Sequence, residues 1–119
     1  MFDHPLEERC YLFGKNVRQF CRNLKMDIPN IQDIKQLVRA SGSVGANYIE
    51  ANENVGVGDL KYRLKVARKE MKESIHFLGL IEVFNNEILE KERAELISEA
   101  GQLRKILSAI INKIENKEK

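Results

Sequence analysis

The side chains best suited to act on a partner are basic residues that cluster between positions 59 and 72. This stretch holds six basic residues against two acidic ones, whereas the segments on either side are balanced or slightly acidic. Four of the six recur at helical spacings of four, three and four residues and so form one stripe on a helix. With one neighbouring lysine, the candidate binding residues are Lys61, Lys65, Arg68, Lys69 and Lys72. Such a stripe is suited to follow a phosphate backbone, although a solvated, lysine-rich helix face is the alternative interpretation.

A second group of polar residues forms a seam along the preceding part of the chain. Its members recur every three or four residues and are Gln36, Arg39, Ser43, Asn47, Glu50 and Asn54. The seam runs through small residues that include two glycines, Gly42 and Gly45, each of which costs a helix about 1 kcal/mol relative to alanine. We therefore expect another helix to approach closely at this level.

Charge pairing gives the seam a predicted structural role. Arg39 is expected to pair either with Glu50 across an interface or with the acidic groups of the next helix, Glu70 and Glu73. The residues assigned to a structural or interface seam are Arg39, Ser43, Asn47, Glu50, Glu70 and Glu73. The alternative is an ordinary bundle surface with small core residues.

Motifs that would indicate catalysis are weak. Glu73 and His76 have the Glu-x-x-His spacing of di-iron bundles, but such sites need a second pair and two further glutamates, and the chain has no second pair. The glycines between positions 55 and 58 lack the spacing of a phosphate loop and its following lysine. We predict no enzyme activity, no metal and no cofactor. A site assembled between subunits from Glu50, Glu73 and His76 is the remaining enzymatic alternative.

The elements that must position these residues are helices. The 119 residues are 43% hydrophobic and 32% charged, with no Trp and only two Pro, a composition typical of helical proteins. Apolar residues recur at helical spacing in four stretches, which predicts helices over about 6–25, 31–54, 60–86 and 90–115, with Asn30 and Asp59 as N-caps. We predict a single domain over 1–119, an all-α, antiparallel, up-down-up-down four-helix bundle.

The uncharged stretches and the two cysteines predict the compartment of the protein and the redox state of its thiols. The longest stretch without a charge, 40–49, is about half of what a membrane span requires, and the N-terminal residues do not have the pattern of a secretory signal. We therefore expect a cytoplasmic protein without membrane contact. Cys10 and Cys21 are three turns apart on one predicted helix, too far for a mutual disulfide, and are expected to be buried free thiols.

Two segments carry a family resemblance. The stretch 39–51, RASGSVGANYIEA, resembles the signature of the bacterial four-helix bundle family of 23S ribosomal RNA intervening-sequence proteins, in which basic and small residues lead to an Asn and then to a Glu three positions later. The stretch 69–78, KEMKESIHFL, is similar to the second signature of that family. With the helix lengths, the similarity covers about residues 6–112.

The resemblance implies an antiparallel bundle that assembles as a homopentamer in the cytoplasm and has no known catalytic activity. A related branch comprises the accessory variability proteins of diversity-generating retroelements, which are basic pentameric barrels that bind nucleic acid and a reverse transcriptase. The positions that match the signatures are Arg39, Ser43, Asn47, Glu50, Glu70 and Glu73.

Two interpretations of function follow. In the first, the chain is a non-enzymatic homo-oligomer that binds RNA or DNA through the stripe. In the second, it is an interaction scaffold or accessory subunit that holds another protein and has no direct nucleic-acid role. The scaffold hypothesis requires an exposed apolar patch beyond the needs of the core. Its candidate residues are Val66, Phe77, Val83 and Phe84.

Overall fold

The protein is built from four helices and the short connections between them. A computed structural model describes residue 2 and residues 4–119. The helices are α1 (Pro5–Arg22), α2 (Ile28–Asn52), α3 (Val57–Leu80) and α4 (Glu87–Lys117). Within the described part of the chain there is no strand, so the predicted all-α class is confirmed.

The helices pack in the cyclic order of an up-down-up-down bundle. Each helix contacts the next one along the chain, and α1 closes the ring against α4. The packing is closest between α2 and α3 and loosest between α1 and α4. The bundle measures 50 × 28 × 23 Å. No helix among the described residues combines the length and the apolar character that crossing a bilayer requires.

One continuous apolar core runs along the bundle axis. In α1 the apolar residues at helical spacing are buried, and Phe13 and Phe20 are each only 1% exposed. In α4 the spacing of four, three and four residues from Leu96 to Leu107 would continue at Ile110, but Ile111 takes that core position. A straight helix has 3.6 residues per turn, so its buried line drifts away from a strict seven-residue repeat.

The start of α2 differs from the prediction. Asp27, not Asn30, is the N-cap, and its carboxylate accepts a hydrogen bond from the backbone N–H of Asn30 at 2.9 Å. Pro29 occupies the second helical position, which costs no hydrogen bond because the first N–H groups of a helix have no partner within it. The helix therefore begins before the proline, at Ile28.

Asn30 is instead a buried link between two loops. It is 1% exposed, and its side-chain amide donates to the carbonyl oxygens of Lys25 (3.0 Å) and Glu82 (2.9 Å). Its side-chain oxygen accepts from the backbone N–H of Glu82 at 3.0 Å. The α1–α2 connection and the α3–α4 connection are thus joined at the same end of the bundle.

The α3 boundaries also differ from the prediction. The helix starts at Val57 after Gly56, whose φ of 143° suits a residue without a Cβ, while Asp59 accepts a hydrogen bond from the backbone of Val55 and does not cap the helix. It ends at Leu80 and not at residue 86, because the backbone of Ile81 is extended and residues 82 and 83 are not helical.

Contacts from other helices hold this extended segment. Ile81 and Val83 turn into the core, and Arg93 of α4 donates a hydrogen bond to the carbonyl oxygen of Ile81. The following Phe84 and Asn85 have positive φ values of 52° and 61°, and the chain then enters α4 earlier than predicted, at Glu87.

Candidate nucleic-acid interface

The predicted basic stripe lies on α3 along the side that faces α4, and acidic residues of α4 neutralise its N-terminal half. The Nζ atom of Lys61 is 2.8 Å from Glu118, and that of Lys65 is 3.3 Å from Glu115. The hydrogen bond with Glu118 raises the pKa of Lys61. These pairs are open to solvent, where such contacts contribute little to stability, but they lower the positive potential at this end.

The C-terminal half of the stripe is not neutralised. Lys69 and Lys72 are exposed, and no carboxylate of the described residues lies within ion-pair distance of either. Arg68 is half-buried and donates a hydrogen bond to the hydroxyl of Ser108 at 3.4 Å, a neutral partner that leaves its charge uncompensated. The effective basic surface is therefore shorter than the sequence predicts and lies nearer the middle of the bundle.

Arg104 of α4 adds a cation that the sequence analysis did not single out. It lies one turn before Ser108, and because α3 and α4 are antiparallel, the Arg68–Ser108 contact places Arg104 opposite Lys72. Its Nε atom is buried and has no hydrogen-bond partner among the described residues. We call Arg68, Lys69, Lys72 and Arg104 the central basic patch. A lone arginine on another helix has no sequence signal that links it to the stripe.

The polar seam joins α2 to α3 at Arg39. Arg39 reaches from α2 to α3 and donates hydrogen bonds to Glu70 at 3.1 Å and to Glu73 at 2.6 Å, which is the second of the two predicted pairings. These contacts raise the pKa of Arg39, with the hydrogen bond to Glu73 as the largest cause. Glu70 is only 8% exposed, so the pair fixes α2 against α3 and is not available to a ligand.

The remaining seam residues have different roles. The amide of Asn47 donates to the carbonyl oxygen of Ser43 at 2.9 Å and accepts from Arg63 of α3 at 3.4 Å. Glu50 is exposed, and its carboxylate makes no hydrogen bond or ion pair with the described residues. The structure thus joins Arg39, Asn47 and α3 but leaves Glu50 outside the seam's bonding.

The glycines of α2 permit the close helix approach that we expected. A Cβ on Gly42 would lie 3.1 Å from the guanidinium of Arg18, and one on Gly45 would lie 3.7 Å from Cys10, both on α1. Arg18 in turn donates to the carbonyl oxygen of Gly14 at 2.9 Å. The small residues therefore serve the contact between α1 and α2.

Two of the residues considered for chemistry, Glu73 and His76, have separate contacts within the chain. His76 is exposed and lies edge-on against Phe77, while Glu73 is held by Arg39. In the part of the chain that the structure describes, no group of three or more His, Cys, Asp or Glu residues could hold a metal ion. Cys10 and Cys21 are buried free thiols, as predicted, and burial raises their pKa values to about 12 and about 11.

The four apolar residues considered for a scaffold role do not form one exposed patch. Val83 is 8% exposed, so its assignment to an exposed patch was wrong: the extended segment after α3 turns it inward. Val66 and Phe77 are half-buried, and Phe77 packs against the core. Only Phe84 is exposed, with the Nζ atom of Lys25 5.0 Å from its ring centroid.

Comparison with solved structures shows a likeness in fold. The fold is similar to the crystal structure of a protein of unknown function from the S23 ribosomal protein family of Bacteroides thetaiotaomicron VPI-5482. The TM-score is 0.76 at 22% sequence identity, over 89% of this chain and 97% of that one. This likeness shows the fold. No protein-family model matches the chain, and no curated protein matches it.

Proposed function

We propose that this chain is a non-enzymatic helical bundle that binds RNA or DNA by contacting the phosphate backbone. The observation that carries the proposal is the central basic patch, where Arg68, Lys69, Lys72 and Arg104 lie together without an acidic partner among the described residues. Elsewhere on α3 the basic residues are balanced by Asp59, Glu115 and Glu118.

Phosphate is the ligand chemistry that suits this patch best. Two arginines and two lysines have side chains that offer many N–H donors and no acceptor. Arginine forms strong charge-assisted hydrogen bonds with phosphate oxygens. Contacts of this type hold the backbone of a nucleic acid without reading its sequence.

A family origin and an assembly are part of the proposal. The likeness to a protein of the S23 ribosomal protein family supports a relationship to the 23S ribosomal RNA intervening-sequence proteins, which the motifs at 39–51 and 69–78 resemble. The chain then acts in the cytoplasm as a homo-oligomer, a pentamer by that resemblance, and needs no cofactor. A ring of identical chains repeats the central basic patch around its circumference and strengthens its field.

The test is RNA binding by wild type and by a variant that lacks two exposed cations, Lys69→Gln/Lys72→Gln. Fluorescence anisotropy with a short labelled RNA, at several salt concentrations, gives both the affinity and its salt dependence. We expect the variant to bind about tenfold more weakly at low salt, and the slope of log K against log salt to fall by about 1.4 for a single strand. Size-exclusion chromatography with light scattering reports the assembly in the same buffers.

The matched control is Lys35→Gln/Lys91→Gln, which removes the same charge from two exposed lysines off the stripe. It should bind RNA as wild type does. Equal losses in the two variants would mean that only net charge matters, and no binding by wild type would end the proposal. A monomer that binds RNA would contradict the proposed assembly alone.

A further inference from the structure

The loosest contact in the bundle leaves an open groove between α1 and α4. It encloses about 370 Å³, and its floor is formed by Phe13, Phe20 and Leu96, which are 1%, 1% and 8% exposed. The apolar surface that is open in the groove is mainly that of Leu12, which stands at its edge and is 43% exposed. The lining on α1 extends over three turns, about 16 Å.

The walls of the groove carry a charge opposite to that of the chain. Three glutamates of α4 and a single arginine of α1 line it, whereas the net charge of the chain is +2. Arg9 bridges the two helices to Glu99 at 2.6 Å and so closes one end of the groove. Glu92 and Glu95 line the rest of the α4 wall and have no ion-pair partner among the described residues.

The opposite wall offers neutral hydrogen-bonding groups. Asn16 and Gln19 lie on α1 across from the glutamates and bring no positive charge into this part of the groove. A cation that enters here meets two carboxylates over an apolar floor. A nucleic acid, which is the ligand proposed for the central basic patch, would be repelled.

We propose that the groove between α1 and α4 binds a basic amphipathic helix of a partner protein. The groove lies between two helices whose lining residues recur every three or four positions, and a third helix fits such a surface by ridges-into-grooves packing. Apolar side chains of the partner cover Leu12, and its lysine or arginine residues meet Glu92 and Glu95. This inference does not depend on nucleic-acid binding.

The test uses two synthetic amphipathic peptides of about five helical turns with leucine on one face. One carries lysine on the polar face and the other carries glutamate. We expect the lysine peptide to bind and the glutamate peptide not to bind, as measured by fluorescence anisotropy of the labelled peptides. In NMR spectra the lysine peptide should shift the amide resonances of Leu12, Asn16 and Glu95 more than those of the central basic patch.

Variants locate the contact. Glu92→Gln/Glu95→Gln should weaken binding of the lysine peptide about threefold to tenfold, whereas Glu53→Gln/Glu82→Gln, which removes the same charge from exposed positions elsewhere, should not. Leu12→Asn should also weaken it, because it removes the apolar contact at the edge of the groove. All variants should unfold near the wild-type temperature, since these side chains are at the surface.

Three results would overturn the inference. The first is the absence of binding by the lysine peptide to wild type. The second is an equal loss in the two glutamine variants, which would mean that the peptide senses only net charge. The third is an oligomer that dissociates in Glu92→Gln/Glu95→Gln while peptide affinity is unchanged, which would make the groove a contact between copies of this chain.

Discussion

Asn30 and Glu82 are 52 residues apart in the chain, yet the side-chain amide of Asn30 bonds to both backbone groups of Glu82, at 2.9 and 3.0 Å. The side chain of Asn30 thus satisfies the backbone of the segment between α3 and α4, as a neighbouring β-strand would. The contact explains why α3 ends at Leu80, since the carbonyl and N–H of Glu82 are satisfied outside a helix.

Replacing Asn30 by alanine should destabilise the bundle by about 2–4 kcal/mol, because it removes three hydrogen bonds to partly buried backbone groups of Lys25 and Glu82. Urea denaturation followed by circular dichroism measures the change. Asn112→Ala, at an exposed position of α4, is the control and should change stability by less than about 0.5 kcal/mol. Equal effects in the two variants would contradict the role of Asn30.

Loss of the ion pairs of Arg39 with Glu70 and Glu73 should also destabilise the protein. For Arg39→Met we expect a loss of about 1–2 kcal/mol. The cost is below that of a fully buried pair, since the Arg39 side chain is 50% exposed, but Glu70 would be left mostly buried without its cation. Lys35→Met, one turn earlier on the same helix and without an ion pair, is the matched control. The same denaturation experiment tests both variants. An unchanged free energy of unfolding in Arg39→Met would show that its ion pairs are only surface contacts.

The buried thiols predict a loss of stability at alkaline pH. Burial raises the pKa of Cys10 from its ordinary value of 9.0 to about 12, so above pH 9 the unfolded chain releases a proton that the folded chain keeps. The contribution of this thiol to the free energy of unfolding is therefore fully present below pH 9. It should decline as pH rises toward 12, by at most about 1.4 kcal/mol per pH unit.

Comparison with Cys10→Ala isolates this effect, because the variant lacks the thiol but keeps every other titrating group. Near neutral pH its free energy of unfolding should be lower than that of wild type, because removal of the thiol leaves a cavity. Between pH 9 and 11 it should fall less steeply than that of wild type. Parallel pH profiles would mean that the Cys10 thiol titrates alike in the folded and unfolded chains.

Removing the acids that neutralise the stripe should strengthen the proposed RNA binding. In Glu115→Gln/Glu118→Gln, Lys65 and Lys61 lose their partners and become free to meet phosphates. We expect about twofold to fivefold tighter binding at low salt and a salt slope that steepens by about 1.4. Glu53→Gln/Glu82→Gln carries the same change in net charge and should give a smaller effect. No difference between these variants would confine phosphate contact to the central basic patch.

Local periodicity was sufficient to predict the four helices and most of the core. Phe13 and Leu107 each belong to a series of apolar residues at helical spacing, and this pattern alone predicts that they are buried. The pairing of Arg39 with Glu70 was predictable because charged residues beside adjacent apolar stripes face each other when the helices are antiparallel.

Features that depend on contacts distant in sequence were not predictable in this way. The end of α3 is determined by Asn30 and Arg93, and neither has a sequence pattern that links it to Ile81 or Glu82. The stripe was visible in the sequence, but its neutralisation by Glu118 depends on the register between α3 and α4. Spacing within one helix carries no information about that register.

The loose contact between α1 and α4 has a consequence for local unfolding. Since α1 is the shortest helix and packs weakly on one side, its backbone amides should exchange with solvent deuterium through an opening that leaves α2 and α3 in place. A partner helix bound in the groove would contact both α1 and α4, which pack most loosely against each other. Protection of the α1 amides in hydrogen–deuterium exchange would then rise with occupancy of the groove, which would couple partner binding to the cooperativity of the whole bundle.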